Sequence, residues 1–149
     1  MSHLIEWFEQ ENPHDGQVTP DDVAKFIAFC GGGTTFAEID NYLESRGFPW
    51  KGDMAMLIHN HSDLVLWSGM SDEYCDLMED VFKLVEIRGS EWLVYAFDGR
   101  VLSIPTVGRR RPKGGYKKQR WAPVVFWEKG KDPGPVSRQA ADALGWTDR

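Results

Sequence analysis

Leu84-Val85-Glu86-Ile87-Arg88-Gly89-Ser90-Glu91-Trp92-Leu93-Val94-Tyr95-Ala96-Phe97-Asp98-Gly99-Arg100-Val101-Leu102-Ser103-Ile104 is the stretch on which the fold turns. Residues 84–88, 91–97 and 100–104 are rich in β-branched and aromatic side chains, and Gly89-Ser90 and Asp98-Gly99 stand between them. Both dipeptides suit two-residue primed turns, whose twist matches that of paired strands. The expectation is an antiparallel β-meander. Beyond it, residues 101–107 and 121–127 predict a further hairpin with a long loop, and Pro123 places its returning strand at an edge, since proline cannot donate to a ladder.

Upstream of this stretch the period is helical. Residues 3–10 predict a short opening helix with Leu4, Ile5 and Phe8 on one side, ended by the polar run around Pro13. Thr19 is placed to cap the next helix, Pro20 suits its first position, and Asp21 and Asp22 complement its dipole. Val23, Phe26, Ile27 and Cys30 then fall at i, i+3, i+4 and i+7. Gly31-Gly32-Gly33 lacks the preceding strand and the spacing of a dinucleotide fingerprint, so it reads as a helix-to-helix turn. Thr35 and Glu38 form a capping-box pattern ahead of Phe36, Ile39 and Leu43, and this helix ends at Arg46-Gly47. The pair is a helix-turn-helix candidate. Residues 53–59, with Met54, Ala55, Leu57 and Ile58, predict another short helix. Leu64-Val65-Leu66-Trp67 reads as a buried strand. Ser71 caps an amphipathic helix over 71–83 with Tyr74, Leu77, Met78, Val81 and Phe82 on its apolar face.

With 149 residues, 42% of them hydrophobic and 27% charged, the chain has the size and composition of one globular domain with one core. The expected organisation is a single domain over residues 1–127 and an extension over 128–149. The extension has a flexible exit and a short helix over 137–144, with Trp146 docked on the body or free for a partner. Trp67 and Trp92 read as core, whereas Trp7, Trp50, Trp121, Trp127 and Trp146 are candidate surface anchors. No apolar run approaches membrane-spanning length, and the N-terminus lacks the features of a signal peptide. Cys30 and Cys75 form no disulfide framework or paired metal motif, so the expected setting is cytoplasmic, with no membrane.

Charge is segregated along the chain. Residues 1–100 hold 19 Asp/Glu against 6 Lys/Arg, whereas residues 101–149 hold 4 against 11. The basic excess is concentrated in residues 108–120, where Arg109, Arg110, Arg111, Lys113, Lys117, Lys118 and Arg120 surround Tyr116 with no carboxylate among them. Such a stretch attracts phosphate backbones, because each neutralised phosphate releases condensed counterions. Tyr116 is then available to stack or wedge, and Gly114 and Gly115 let the backbone approach closely. A solvated loop, or one folded onto the acidic body, explains the same run of charge. Asp72, Glu73, Asp76, Glu79 and Asp80 of the amphipathic helix offer a second candidate surface. It could dock a basic protein partner, neutralise the chain's own loop, or simply be solvated.

The order of these elements, helices over 19–46 and 71–83 followed by a β-meander, resembles the winged helix-turn-helix family across residues 19–127, with the basic loop where a wing would fall. The resemblance implies an α+β fold and a non-catalytic, DNA-binding role in transcription regulation. The stretches Leu64-Val65-Leu66-Trp67-Ser68-Gly69-Met70-Ser71-Asp72-Glu73-Tyr74, Leu93-Val94-Tyr95-Ala96-Phe97-Asp98-Gly99 and Leu102-Ser103-Ile104-Pro105 also resemble small uncharacterised proteins of actinobacterial phages and their hosts. That likeness implies a regulator or a host-directed phage protein, and no assigned catalytic residue. One departure from the winged-helix pattern is electrostatic: the helices at 35–46 and 71–83 are rich in carboxylates, which phosphates repel, so the loop rather than a helix is the expected DNA contact.

Other chemistry finds little support. His59-Asn60-His61-Ser62-Asp63 is a short run of possible metal ligands without a nameable third and fourth partner, and it falls where His and Asn turn a chain. Carboxylates around Cys75 suppress its thiolate, and Cys30 lies on an apolar stripe, so both read as structural. No nucleophile elbow, phosphate-binding loop or zinc helix is present. The expectation is a protein without cofactor or metal that is not an enzyme, with a nucleic-acid ligand as the leading reading and a protein partner as the alternative.

Overall fold

The first helix forms where apolar periodicity predicts it, and the next two form where capping chemistry does. The computed structural model describes residues 2–13 and 16–131. α1 (Ser2–Glu11) buries Ile5 and Phe8. At α2 (Pro20–Phe29) the Thr19 hydroxyl accepts from the Asp22 N–H, and the Asp22 carboxylate accepts from the Thr19 N–H in return. Thr35 and Glu38 make the same reciprocal pair at α3 (Phe36–Ser45). Each box satisfies donors that a helix end otherwise leaves open, about 1 kcal/mol per cap.

The chain then departs from expectation. Residues 51–58 form a strand, β1 (Lys51–Ile58), which pairs antiparallel with β2 (His61–Met70) through a turn in which Asn60 has a positive φ of 65°. Met, Ala and Leu favour helix in isolation, yet pairing with β2 overrides that weak preference. Ser71 caps α4 (Asp72–Val81), whose Tyr74, Leu77, Met78 and Val81 are buried.

The predicted meander does not form. β3 (Val85–Gly89) pairs antiparallel with β5 (Val124–Glu128), from Val85 opposite Glu128 to Gly89 opposite Val124, and the segment between them in sequence is helical at α5 (Leu93–Phe97). A strand would put Leu93 on the same face as Tyr95. Instead Leu93 is exposed while Tyr95 is fully buried, its hydroxyl donating to the Val124 carbonyl (2.7 Å) and accepting from the Phe36 N–H (3.0 Å). Asp98-Gly99 therefore closes a helix rather than a hairpin. The second predicted hairpin is absent too: Thr106 bridges Trp121 in parallel, and β4 (Arg120–Trp121) runs parallel to β2.

The result is an α+β fold with sheets ordered β1-β2-β4 and β3-β5. An aromatic core joins them, with Phe36 stacked on Trp67 (5.7 Å), Tyr95 edge-on to Trp121 (5.0 Å) and Phe36 edge-on to Phe126 (5.0 Å). Three tryptophan assignments invert. Trp121, expected at the surface, is 1% exposed, and Trp92, expected in the core, is 46% exposed. Trp50 is also buried, whereas Trp7 is exposed as expected.

Asp40 is the polar centre of this core. Its carboxylate accepts from Trp67 Nε1 (3.2 Å), the Tyr74 hydroxyl and Arg100 (2.8 Å), and the Arg100 guanidinium lies 5.0 Å from the centre of the Trp50 ring. Three donors oppose the desolvation of Asp40, but burial prevails and pushes its pKa up to about 6. At the α2–α3 turn, Thr34 bridges Phe126 of β5, and a Cβ on Gly32, which has φ 103°, would overlap the Trp127 ring. Of the exit expected over 128–135, residues 128–131 are described, with Glu128 in β5 opposite Val85, while the rest of it, the helix over 137–144 and Trp146 lie outside the described residues. Among the described residues no helix is long and apolar enough to cross a membrane.

Candidate nucleic-acid interface

The basic segment is a loop held by a carboxylate that lies far from it in sequence. Asp63, near the start of β2, accepts from Arg111 Nε (3.0 Å) and from a terminal Arg111 nitrogen (2.6 Å), a two-pronged clasp that fits the planar guanidinium. The same carboxylate accepts from the Tyr116 N–H (2.8 Å). Donation from Arg111 is the main reason the Asp63 carboxyl is held at about 2, and the pairing raises the Arg111 pKa in turn. Only glycine fits beside this clasp: Gly115 has φ 93°, and a Cβ there would lie 2.8 Å from Arg111 and 3.0 Å from Asp63.

Tyr116 carries the next layer of support. Its hydroxyl accepts from the Gly108 N–H (2.9 Å), and the Arg120 guanidinium sits 4.8 Å from its ring centre while donating to the Thr106 carbonyl (3.2 Å). Gln119 donates to the Ser62 carbonyl (3.0 Å). At the base, the Trp121 N–H donates to Pro105 and the Val107 N–H to Trp121, so both ends of the loop are tied to the edge of the sheet.

This geometry divides the predicted set. Arg111, Tyr116 and Arg120 hold the loop through Asp63, Gly108 and Thr106. Arg109, Arg110, Lys113, Lys117 and Lys118 are exposed, and among the described residues no carboxylate lies within ion-pair distance of them. The acidic helix does not neutralise them: on α4, Asp80 pairs with Lys83 (3.5 Å), and Asp72, Glu73, Asp76 and Glu79 are exposed without an ion pair among the described residues.

Comparison of the chain with protein-family models, curated proteins and solved structures returned no match. What remains is the chemistry of the site itself. Five exposed cations project from one loop whose backbone is pinned at Gly108, Tyr116 and Trp121. His59 and His61 sit at the β1–β2 turn, and no group of three or more metal-ligating side chains occurs among the described residues. Burial and nearby carboxylates raise the Cys75 thiol, and burial pushes Cys30 up to about 12, so neither is poised as a nucleophile. Sequence reasoning missed Asp63 as the loop's anchor because the partners are distant in the chain and no local pattern joins them.

Proposed function

We propose that this protein binds nucleic acid without catalysis, through backbone phosphates, using Arg109, Arg110, Lys113, Lys117 and Lys118. The observation that carries the reading is that these cations stand exposed and, among the described residues, without an ion-pair partner on a loop held by Asp63 and Tyr116. A pre-set array loses less conformational freedom on binding than a free tail would, and phosphate contacts of this kind position a duplex without reading its bases. The winged-helix resemblance enters as an analogy of role alone, since the meander that carried it does not form and the basic loop is tied to the edge of a sheet. The likeness to actinobacteriophage proteins adds a regulatory or host-directed setting.

Fluorescence anisotropy with a labelled DNA duplex, titrated with salt, tests this. With three to five phosphates neutralised, log affinity falls against log salt with a slope of about -2.7 to -4.5, and changing Arg109, Arg110 and Lys113 to Gln reduces that slope by about 0.9 for each phosphate no longer neutralised. A parent chain with no affinity for duplex at low salt, or a slope unmoved by the loop changes, ends the proposal.

A further inference from the structure

The opposite edge of the three-stranded sheet carries a different surface. β1 is the outer strand, its only strand partner among the described residues is β2, and it is exposed from Lys51 to Ala55, with Met54 47% and Leu57 39% exposed. A long apolar edge of this kind is one that folded proteins normally cover or charge. Between this strand and α4 lies a cleft of about 650 Å³, lined by Met54, Met56 and Leu57 of β1 and by Phe82 and Ile87. Its wall is acidic. Glu79 lines it directly, and Cys75, also in the lining, lies within the electrostatic reach of Asp72, Asp76 and Glu79.

We propose that this cleft docks a short segment of a second protein that is apolar on one side and rich in Lys or Arg on the other. The apolar floor supplies burial, and methionine side chains adapt to differently shaped anchors. The carboxylates select the charge, because an anionic segment of equal apolarity meets Asp72, Asp76 and Glu79 as like charges. Of these, Asp72, Asp76 and Glu79 have no ion-pair partner among the described residues, so a cationic segment displaces none. The site is separate from the basic loop, which sits at the β4 edge of the same sheet.

Two labelled 14-residue peptides test this on the full chain. Both carry Leu and Met at amphipathic spacing, one with Lys at every polar position and the other with Glu. The Lys peptide is expected to bind at least about tenfold more tightly, an advantage that salt reduces. Reversing Asp76 and Glu79 together to Lys inverts the preference, while Met54→Glu weakens the Lys peptide's hold despite adding a favourable charge. Far-UV circular dichroism and thermal melting check that each variant remains folded. Location is read from Cys75: the bound Lys peptide slows its alkylation at alkaline pH, and mass spectrometry of the digest separates this from Cys30. Equal binding of both peptides, binding of neither, or binding that leaves Cys75 equally reactive overturns the proposal. So does protection of Cys75 without peptide: if it grows with chain concentration, the cleft takes a second copy, and if it persists at every dilution, the chain covers its own cleft.

Discussion

The two edges of the β1-β2-β4 sheet are finished in opposite ways. At the β4 edge the chain builds a charged loop and spends three of its side chains, Arg111, Tyr116 and Arg120, on holding the other cations in place. At the β1 edge Met54 and Leu57 are exposed among the described residues, and the adjoining cleft has Glu79 in its lining with Asp72 and Asp76 of the same helix close by. One edge is polar and positive; the other is apolar, with carboxylates of α4 beside it. The charge segregation visible along the sequence has become a segregation across the width of one sheet, which keeps the two proposed surfaces apart.

The largest effect comes from removing what both edges share. Asp40 ties Trp67 of β2 and Tyr74 of α4 to α3. Asp40→Ala is expected to cost about 3 kcal/mol in urea unfolding at neutral pH, because it leaves buried donors without their acceptor. Asp40→Asn isolates the charge. Because the folded carboxyl titrates near 6 rather than near 4, the folded state holds a proton that the unfolded state releases, so the contribution of Asp40 to stability is greatest below about pH 4 and declines as pH rises through 6. Unfolding measured from pH 4 to 7 loses that decline in Asp40→Asn. An unchanged pH profile contradicts the assignment.

A smaller effect separates the edges. Asp63→Ala frees the loop at a cost of about 1 kcal/mol, since its partner is partly solvated. It also releases Arg111 as an additional phosphate ligand, so the salt slope for DNA steepens by about 0.9 while trypsin cuts faster after Lys113 and Lys117. The acid behaviour of this clasp is opposite to that of Asp40. With its carboxyl held near 2, the stability it confers is present above about pH 4 and disappears as pH falls through 2. Gly115→Ala is expected to open the same clasp sterically, giving the same proteolytic pattern without the change in net charge.

The smallest effect belongs to the open edge. Met54→Glu is expected to change stability by less than about 0.5 kcal/mol, because Met54 is half exposed, while DNA affinity stays within twofold. A loss of several kcal/mol instead would mean that Met54 belongs to the core.

What is legible in the sequence follows the range of each signal. Thr19, Thr35 and Ser71 announce α2, α3 and α4 because a cap and an apolar stripe act within one turn or two. β1 is hidden because Met54, Ala55 and Leu57 carry helical preference while the decisive partner, β2, lies across a turn. α5 is hidden because Tyr95, whose hydroxyl is fixed by Val124 and Phe36, overrides the β-like composition around it. The cations of the site are plain from composition, yet which of them are free is not, since that depends on Asp63. The apolar cleft stays invisible as long as residues 53–59 read as a helix.

The α2–α3 turn, where Thr34 bridges Phe126 and Gly32 lies against Trp127, joins an early part of the polypeptide to a late one. A ribosome must therefore deliver nearly all of the described chain before this closure can occur. Until then Phe36 lacks its Phe126 neighbour, and a nascent chain stalled ahead of residue 124 presents that unfinished aromatic surface to chaperones rather than a native intermediate.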